Sequence, residues 1–149
     1  MENSKNSKYI VQTLQTPKSW GAERHEGYAK WARRVLWMDK DVVPGAFQMN
    51  CSWYLRPPTA ETAESHAHSH NSNEIIGFFS GDPDNPYELG ALIEFWLEDE
   101  KFMIDKSSMI FVPSGMKHCP LIIRKVDRPI FHFSTLTEGN YVWATGQHP

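Results

Sequence analysis

The chain has 149 residues, a formal net charge of -3 and 40% hydrophobic residues. This length suits one domain with a core of its own, and the apolar content excludes a disordered chain. The 15 basic residues are scattered, which argues against a nucleic-acid partner. No apolar run approaches the roughly 20 residues of a membrane helix, and the first residues lack the apolar stretch of a secretory signal, so we expect a cytoplasmic protein without a membrane partner.

The N-terminal part of the chain shows neither a helical nor an alternating pattern. Residues 1–30 mix Ser, Asn, Lys and Gln with Pro17 and Gly21. We predict that residues 1–44 form an arm and a first strand that pack on a barrel made by residues 45–149.

Short runs rich in Val, Ile, Phe, Trp and Tyr follow from about residue 33, separated by Gly, Pro, Asp and Asn. This pattern is typical of an all-β domain, and the number of runs suits a jelly roll or barrel. The predicted strands are 35–38, 47–55, 65–71, 74–80, 91–97, 102–104, 109–112, 121–126 and 130–135.

The predicted strand 47–55 has two different faces. Its odd positions are Phe, Met, Cys, Trp and Leu, and its even positions are Gln, Asn, Ser and Tyr. Side chains alternate across a strand, so we expect one face to pack and the other to meet water or a polar cavity.

Histidines alternate in the segment 66–70. If this segment is a strand, then His66, His68 and His70 all point to one face. A buried neutral imidazole needs partners for both ring nitrogens, and a divalent metal supplies one of them. Glu74 and the distant His118 could join two of these histidines in a metal site.

Two stretches resemble the paired motifs of the cupin superfamily. The first reads His68-x-His70-x3-Glu74-x6-Gly81, and the second reads Pro113-x-Gly115-x2-His118. The resemblance implies a double-stranded β-helix, the jelly-roll barrel of cupins, with His68, His70, Glu74 and His118 as metal ligands. A first motif that started at His66 would put five residues before Glu74, outside the usual spacing. His66 is then a neighbour that lines the pocket, supports a ligand or lies in solvent.

Three imidazoles and a carboxylate suit one divalent transition metal ion per chain, namely Fe, Mn, Ni, Zn, Co or Cu. The set holds no thiolate, which argues against a closed structural zinc site. An octahedral ion would keep two positions open for water, substrate or dioxygen.

Further residues are candidates for contact with a substrate. His132, in the last predicted strand, could act as a general base, and Tyr54 could supply a phenolic hydroxyl. We also expect His66, Arg56 and Trp53 to bind substrate. Arg33 and Arg34 could reach a substrate carboxylate.

The resemblance favours a metal-dependent enzyme that acts on a small oxygenated organic molecule. The molecule would chelate the metal, in a dioxygenase reaction or in isomerase, lyase or hydrolase chemistry through an enolate. The alternative is a non-catalytic cupin that binds a small ligand or a metal, as a sensor or an accessory protein. We also expect a homodimer in which the N-terminal arm covers a strand edge of the partner.

Overall fold

The computed structural model describes residues 4–17, 20–59 and 66–144. Within these residues there are a 3-10 turn, one α-helix and eight strands. Their bounds are Ser7–Tyr9 for the 3-10 turn, Ala22–Ala29 for α1, Ala32–Met38 for β1, Gln48–Tyr54 for β2, Glu74–Ser80 for β3, Glu88–Leu97 for β4, Glu100–Lys106 for β5, Ser108–Val112 for β6, His118–Val126 for β7 and Ile130–Leu136 for β8. None of the described helices is long and apolar enough to cross a membrane.

The strands form two antiparallel sheets that enclose one core. The large sheet has the order β1-β2-β8-β3-β6, and the small sheet has the order β5-β4-β7. The core cluster joins Ile76 and Phe78 of the large sheet to Ile93 and Phe95 of the small sheet. The predicted all-β jelly-roll fold is therefore confirmed. β1, which belongs to the predicted unit 1–44, pairs with β2 and so completes the large sheet.

One helix lies where the sequence pattern predicted none. The helix α1 begins after Gly21, and Glu23 lies in its first turn, where a carboxylate interacts favourably with the helix dipole. Tyr28 is half-buried and packs edge-on against Trp31, with ring centroids 4.7 Å apart. The helix has only two turns and no fully buried residue, so it leaves little periodicity in the sequence.

Eight of the nine predicted strands are present, and the prediction of a strand at 65–71 is wrong for its described part. In that segment only His68 forms a β-bridge, to His118. The backbone carbonyls of the two following residues accept hydrogen bonds from other parts of the chain. The carbonyl of Ser69 accepts from the amide of Ala144, and the carbonyl of His70 accepts from the amide of Gly115. The backbone is therefore held by two separate segments and not by one neighbouring strand.

The two faces of β2 are arranged with the polar one inside. Gln48, Asn50 and Ser52 are buried, whereas Met49 and Trp53 are exposed. The alternation predicted two different faces and did not determine which of them lies inside the barrel. The even positions face the barrel interior, in agreement with the polar cavity that the sequence analysis left open.

Candidate metal centre

Backbone hydrogen bonds hold the two motif segments together. The amide of His68 donates to the carbonyl of His118 over 3.0 Å, and the reverse bond measures 2.9 Å. The Gly115 amide donates to the carbonyl of His70 over 2.8 Å. Gly115 has φ +83°, a left-handed conformation that side-chain-bearing residues rarely adopt. The turn before β7 thus requires glycine and brings His118 beside His68 and His70.

Four buried side chains converge at this end of the barrel. One ring nitrogen from each of His68, His70 and His118 lies within 4.8 Å of the others. Glu74, the first residue of β3, places Oε2 at 2.9 Å from His118 Nε2 and 3.3 Å from His70 Nε2. The three histidines form a buried group that could hold a metal ion, and Glu74 adds a carboxylate at its side.

Each imidazole is oriented by a backbone carbonyl. The Nδ1 atoms of His68, His70 and His118 lie 2.6, 2.5 and 3.2 Å from carbonyl oxygens, and these belong to His66, Val142 and Met116. An Nδ1 that donates to a carbonyl leaves Nε2 with its lone pair free, which is the usual support of a metal-binding histidine.

Three of the converging atoms are buried without a hydrogen-bond partner among the described residues. They are Nε2 of His70, Nε2 of His118 and Oε2 of Glu74, which approach one another without hydrogen-bond geometry. Such unpaired buried polar atoms are costly. A cation placed between them would satisfy all three, so the donor set fits a divalent metal.

The charges of the metal-free cluster follow from these contacts. Burial alone would raise the pKa of Glu74, but its contacts with His118 and His70 outweigh burial and lower the pKa to about 2. Burial opposes protonation of His70, yet the Glu74 carboxylate raises the pKa of this imidazole. Burial lowers the pKa of His68 to about 4, with the neighbouring His118 and His70 acting in the same direction. The carboxylate is therefore ionised at neutral pH.

A C-terminal segment, residues 141–144, packs on the cluster. The Tyr141 hydroxyl lies 3.4 Å from His68 Nε2, and the Trp143 ring stacks on the His68 ring at 4.4 Å between centroids. Val142 supplies the carbonyl that orients His70. No motif predicted that this segment contacts the site, because its only signal in the sequence is a pair of aromatic residues after the last predicted strand.

His132 and Tyr54 both face the barrel interior. Their rings stack at 4.7 Å, and His132 Nδ1 donates to the carbonyl of Gly77 over 3.0 Å. Burial lowers the pKa of His132 to about 4, so this imidazole is neutral at pH 7 and presents Nε2 as an acceptor. Burial also raises the pKa of Tyr54 well above its usual value. Their predicted catalytic roles remain predictions.

The predicted substrate-binding residues do not belong to the buried cluster. His66 and Arg56 are exposed. Trp53 is 37% exposed on the outer face of β2, where it packs on Phe131. The expectation that the side chains of His66, His68 and His70 share one face is wrong for His66, because this segment is not a regular strand. His66 contributes its backbone carbonyl to His68.

The comparison with solved structures finds folds of the same kind. An oxalate oxidase in complex with the substrate analogue glycolate matches with a TM-score of 0.55 and 10% identity, over 97% of this chain and 66% of that chain. Peruvianin-I, described as a cysteine peptidase from Thevetia peruviana latex, matches with a TM-score of 0.53 and 9% identity, over 93% and 77%. A cupin superfamily protein from Desulfitobacterium hafniense has a lower TM-score of 0.43 at 9% identity, over 72% and 75%.

No protein-family model matches the chain, and no curated protein matches it. This chain spans 66% of the oxalate oxidase chain, and identities near 10% bear on the fold alone. The two facing sheets and the similarity to solved structures lead to one conclusion about the fold: this chain is a jelly-roll barrel of the kind found in the oxalate oxidase, and the residues that resemble the cupin motifs converge inside it.

Proposed function

We propose that this protein is a metal-dependent enzyme whose single divalent transition metal ion is held by His68, His70, Glu74 and His118. The observation that carries the proposal is that Nε2 of His70, Nε2 of His118 and Oε2 of Glu74 converge without hydrogen-bond partners among the described residues. The imidazoles of the cluster are each oriented by a backbone carbonyl. A merely structural imidazole cluster would use its Nε2 atoms in hydrogen bonds.

A catalytic role is favoured over a structural one by the donor set and by its surroundings. A closed structural zinc site usually contains thiolates, and this set contains none. Four protein ligands leave coordination positions for a small molecule. A bound ion would polarise a substrate oxygen and stabilise negative charge that develops on it, or support oxygen chemistry if the ion is redox-active.

The substrate we propose is a small oxygenated organic molecule. The inward face of β2 carries the buried polar residues Gln48, Asn50 and Ser52, and apolar packing alone does not need these polar groups. An oxalate oxidase of similar fold is described in complex with the substrate analogue glycolate, which is a small molecule of this class. Within this class, iron would favour a dioxygenase, whereas manganese, nickel or zinc would keep isomerase, lyase and hydrolase reactions open.

The first test is the metal content of protein purified without a metal-affinity tag. Near-stoichiometric metal is expected in the wild type and in His66→Ala, whose side chain lies outside the cluster, and none is expected in His70→Ala. Mass spectrometry with an inductively coupled plasma measures all three proteins. A wild type without metal, or equal metal in the two variants, would contradict the proposed site.

A second test separates an enzyme from a metal-dependent binder. Wild type and His118→Ala are incubated with a panel of small hydroxy acids and dicarbonyl compounds, and both turnover and binding are followed. An enzyme converts a compound and loses turnover together with metal in the variant. A compound that binds tightly and is never converted would favour the non-catalytic alternative.

We also propose that the chain is a homodimer that buries the outer face of the large sheet. This face exposes a set of large apolar side chains: Val35, Met49, Trp53, Ile75, Met109 and Phe111. The arm adds exposed Tyr9, Ile10 and Leu14, and within the described part of the chain the backbone hydrogen bonds of residues 4–16 stay within that segment. Apolar patches of this kind mark interaction surfaces. A second copy of the chain would cover the outer face of the large sheet and the apolar side chains of the arm. This arrangement agrees with the prediction that the arm crosses to the partner.

A further inference from the structure

Two adjacent arginines at the start of β1 have opposite environments. Arg33 is exposed, and its Nη1 donates to the carbonyls of Ala29 and Ala32. Arg34 pairs with Ser52 in the sheet and lies half-buried on the inward face. Only Arg34 therefore presents its guanidinium to the barrel interior.

The Arg34 guanidinium is enclosed by aromatic rings. Its central carbon lies 4.5 Å from the ring centroid of Trp20, 4.6 Å from that of Tyr28 and 5.3 Å from that of Trp37. Among the described residues the guanidinium makes one hydrogen bond, from Nη1 to Asn50 Oδ1 at 3.3 Å. Aromatic faces attract a cation but accept no hydrogen bonds along the guanidinium edge.

The cation lacks a counter-charge in the part of the chain that the structure describes. No carboxylate oxygen there lies within ion-pair distance of Arg34, and its Nη2 is buried without a hydrogen-bond partner. Burial lowers the pKa of Arg34, but guanidinium remains protonated in proteins. A buried unpaired cation is unfavourable unless an anion joins it.

A second unpaired group lies on the same inward face. Gln48 is fully buried, and both its amide nitrogen and its amide oxygen lack partners among the described residues. Between Gln48 and Arg34 lies Asn50, which donates to Ser134 Oγ over 2.9 Å. Arg34 Nη2 and the Gln48 amide nitrogen thus offer free donors on either side of Asn50.

This polar row borders the same interior as the metal cluster. In the sheet, Gln48 and Glu74 both pair with Leu136, on its two sides. Arg34 and His132 both pair with Ser52, on its two sides. Trp20, which stacks on Arg34, also contacts Tyr141 at 6.5 Å between ring centroids, and Tyr141 reaches His68.

We propose that Arg34, aided by Gln48 and Asn50, binds a carboxylate of the substrate. The substrate class is then a small organic acid that carries a second oxygen function, and this function faces His68, His70, Glu74 and His118. The inference rests on the proposed function, since it takes the metal cluster as the other end of the site. Guanidinium matches the two oxygens of a carboxylate in a bidentate geometry, which selects acids over their neutral amides.

The test is calorimetric titration of the protein as purified with oxalate, malonate, succinate and glutarate, and with the diamides of the same acids. At least one acid is expected to bind at least tenfold more tightly than its diamide. Arg34→Gln is expected to lower the affinity for that acid at least tenfold. Arg33→Gln, the matched control, is expected to leave this affinity unchanged. Metal content is expected to be equal in all three proteins.

Equal affinities in Arg34→Gln and the wild type, or no preference for any acid over its diamide, would overturn the carboxylate site. If Arg34→Gln does not fold, Arg34→Lys replaces it, and a loss of affinity despite the retained charge supports the bidentate contact. The same titrations on protein treated with EDTA separate the two proposals. A wild type that holds no metal but binds acids through Arg34 would contradict the metal site and leave the carboxylate site intact.

Discussion

The two faces of the large sheet each carry residues that are unusual for their position: polar groups interrupt the apolar inward face, and large apolar groups lie on the outward face. The inward face carries buried Gln48 and Asn50 beside the metal cluster. The outward face carries Trp53, Ile75 and Met109, each more than a third exposed. Burying polar groups and exposing apolar ones both cost free energy. The sheet therefore makes physical sense when each face has a binding partner, a polar ligand inside and a protein surface outside.

The largest effect is expected from charges placed on the outward face. The double variant Met109→Glu/Phe111→Glu puts two carboxylates where the proposed dimer would bury apolar side chains, so it should be monomeric at micromolar concentration. Sedimentation velocity compares it with the dimeric wild type. The control Phe102→Glu changes a residue that is 41% exposed on the small sheet and should stay dimeric. A monomeric wild type would contradict the proposed interface.

A matched pair of isoleucines in β3 compares the faces directly. Ile76 points inward and is 4% exposed, and Ile75 points outward and is 38% exposed. In the Met109→Glu/Phe111→Glu background, Ile76→Ala should lower the free energy of unfolding by about 2–5 kcal/mol through lost burial and a cavity. Ile75→Ala should lower it by about 1 kcal/mol or less. Urea denaturation measures both, and equal losses would show that the assignment of the faces is incorrect.

The pH dependence of stability tests the burial of His132 on the inward face. Burial lowers its folded-state pKa from 6.5 to about 4, so between these values the unfolded chain binds a proton that the folded chain does not. The contribution of His132 to the free energy of unfolding is fully present above pH 6.5. It decreases by on the order of 3 kcal/mol as the pH falls to 4. Denaturation in EDTA from pH 7 to pH 4 should show a shallower decline for His132→Phe than for the wild type. Parallel curves would indicate that His132 is accessible to solvent.

The smallest expected effect concerns Tyr141 at the metal cluster. Its hydroxyl lies 3.4 Å from the His68 Nε2 lone pair that the proposed ion needs, so it competes weakly with the metal. Tyr141→Phe should therefore raise metal affinity about twofold to fivefold. Competition with a chromogenic chelator measures this change. A loss of affinity would instead identify the hydroxyl as a support of the bound ion.

Local patterns in the sequence predicted most of the strands. β3 has the predicted bounds 74–80, because an apolar run between turn residues leaves little choice of structure. Alternation in β2 gave its two faces but not which of them lies inside, since a period of two is the same in either orientation. The segment 66–70 followed the alternation and yet is irregular, because its backbone partners come from residues 115–118 and from Ala144.

The candidate site was predictable only as far as its motifs extend. Spacing selected His68, His70, Glu74 and His118, and these four side chains converge. The contacts of Tyr141 and Trp143 with His68 join residues more than 70 positions apart without a motif. Which of Arg33 and Arg34 points into the barrel depends on the register between β1 and β2, and this register shifts after Arg34. Long-range contacts of this kind follow from the tertiary packing.

The backbone joins the two motif segments through a single isolated β-bridge between His68 and His118 and not through a continuous ladder. An ion bound as proposed would act as a cross-link that closes the loop between Glu74 and His118, which is about 44 residues long. Closing such a loop removes conformational entropy from the unfolded ensemble, so metal loading and folding become thermodynamically linked. The melting temperature of the protein would then report the free metal concentration around it.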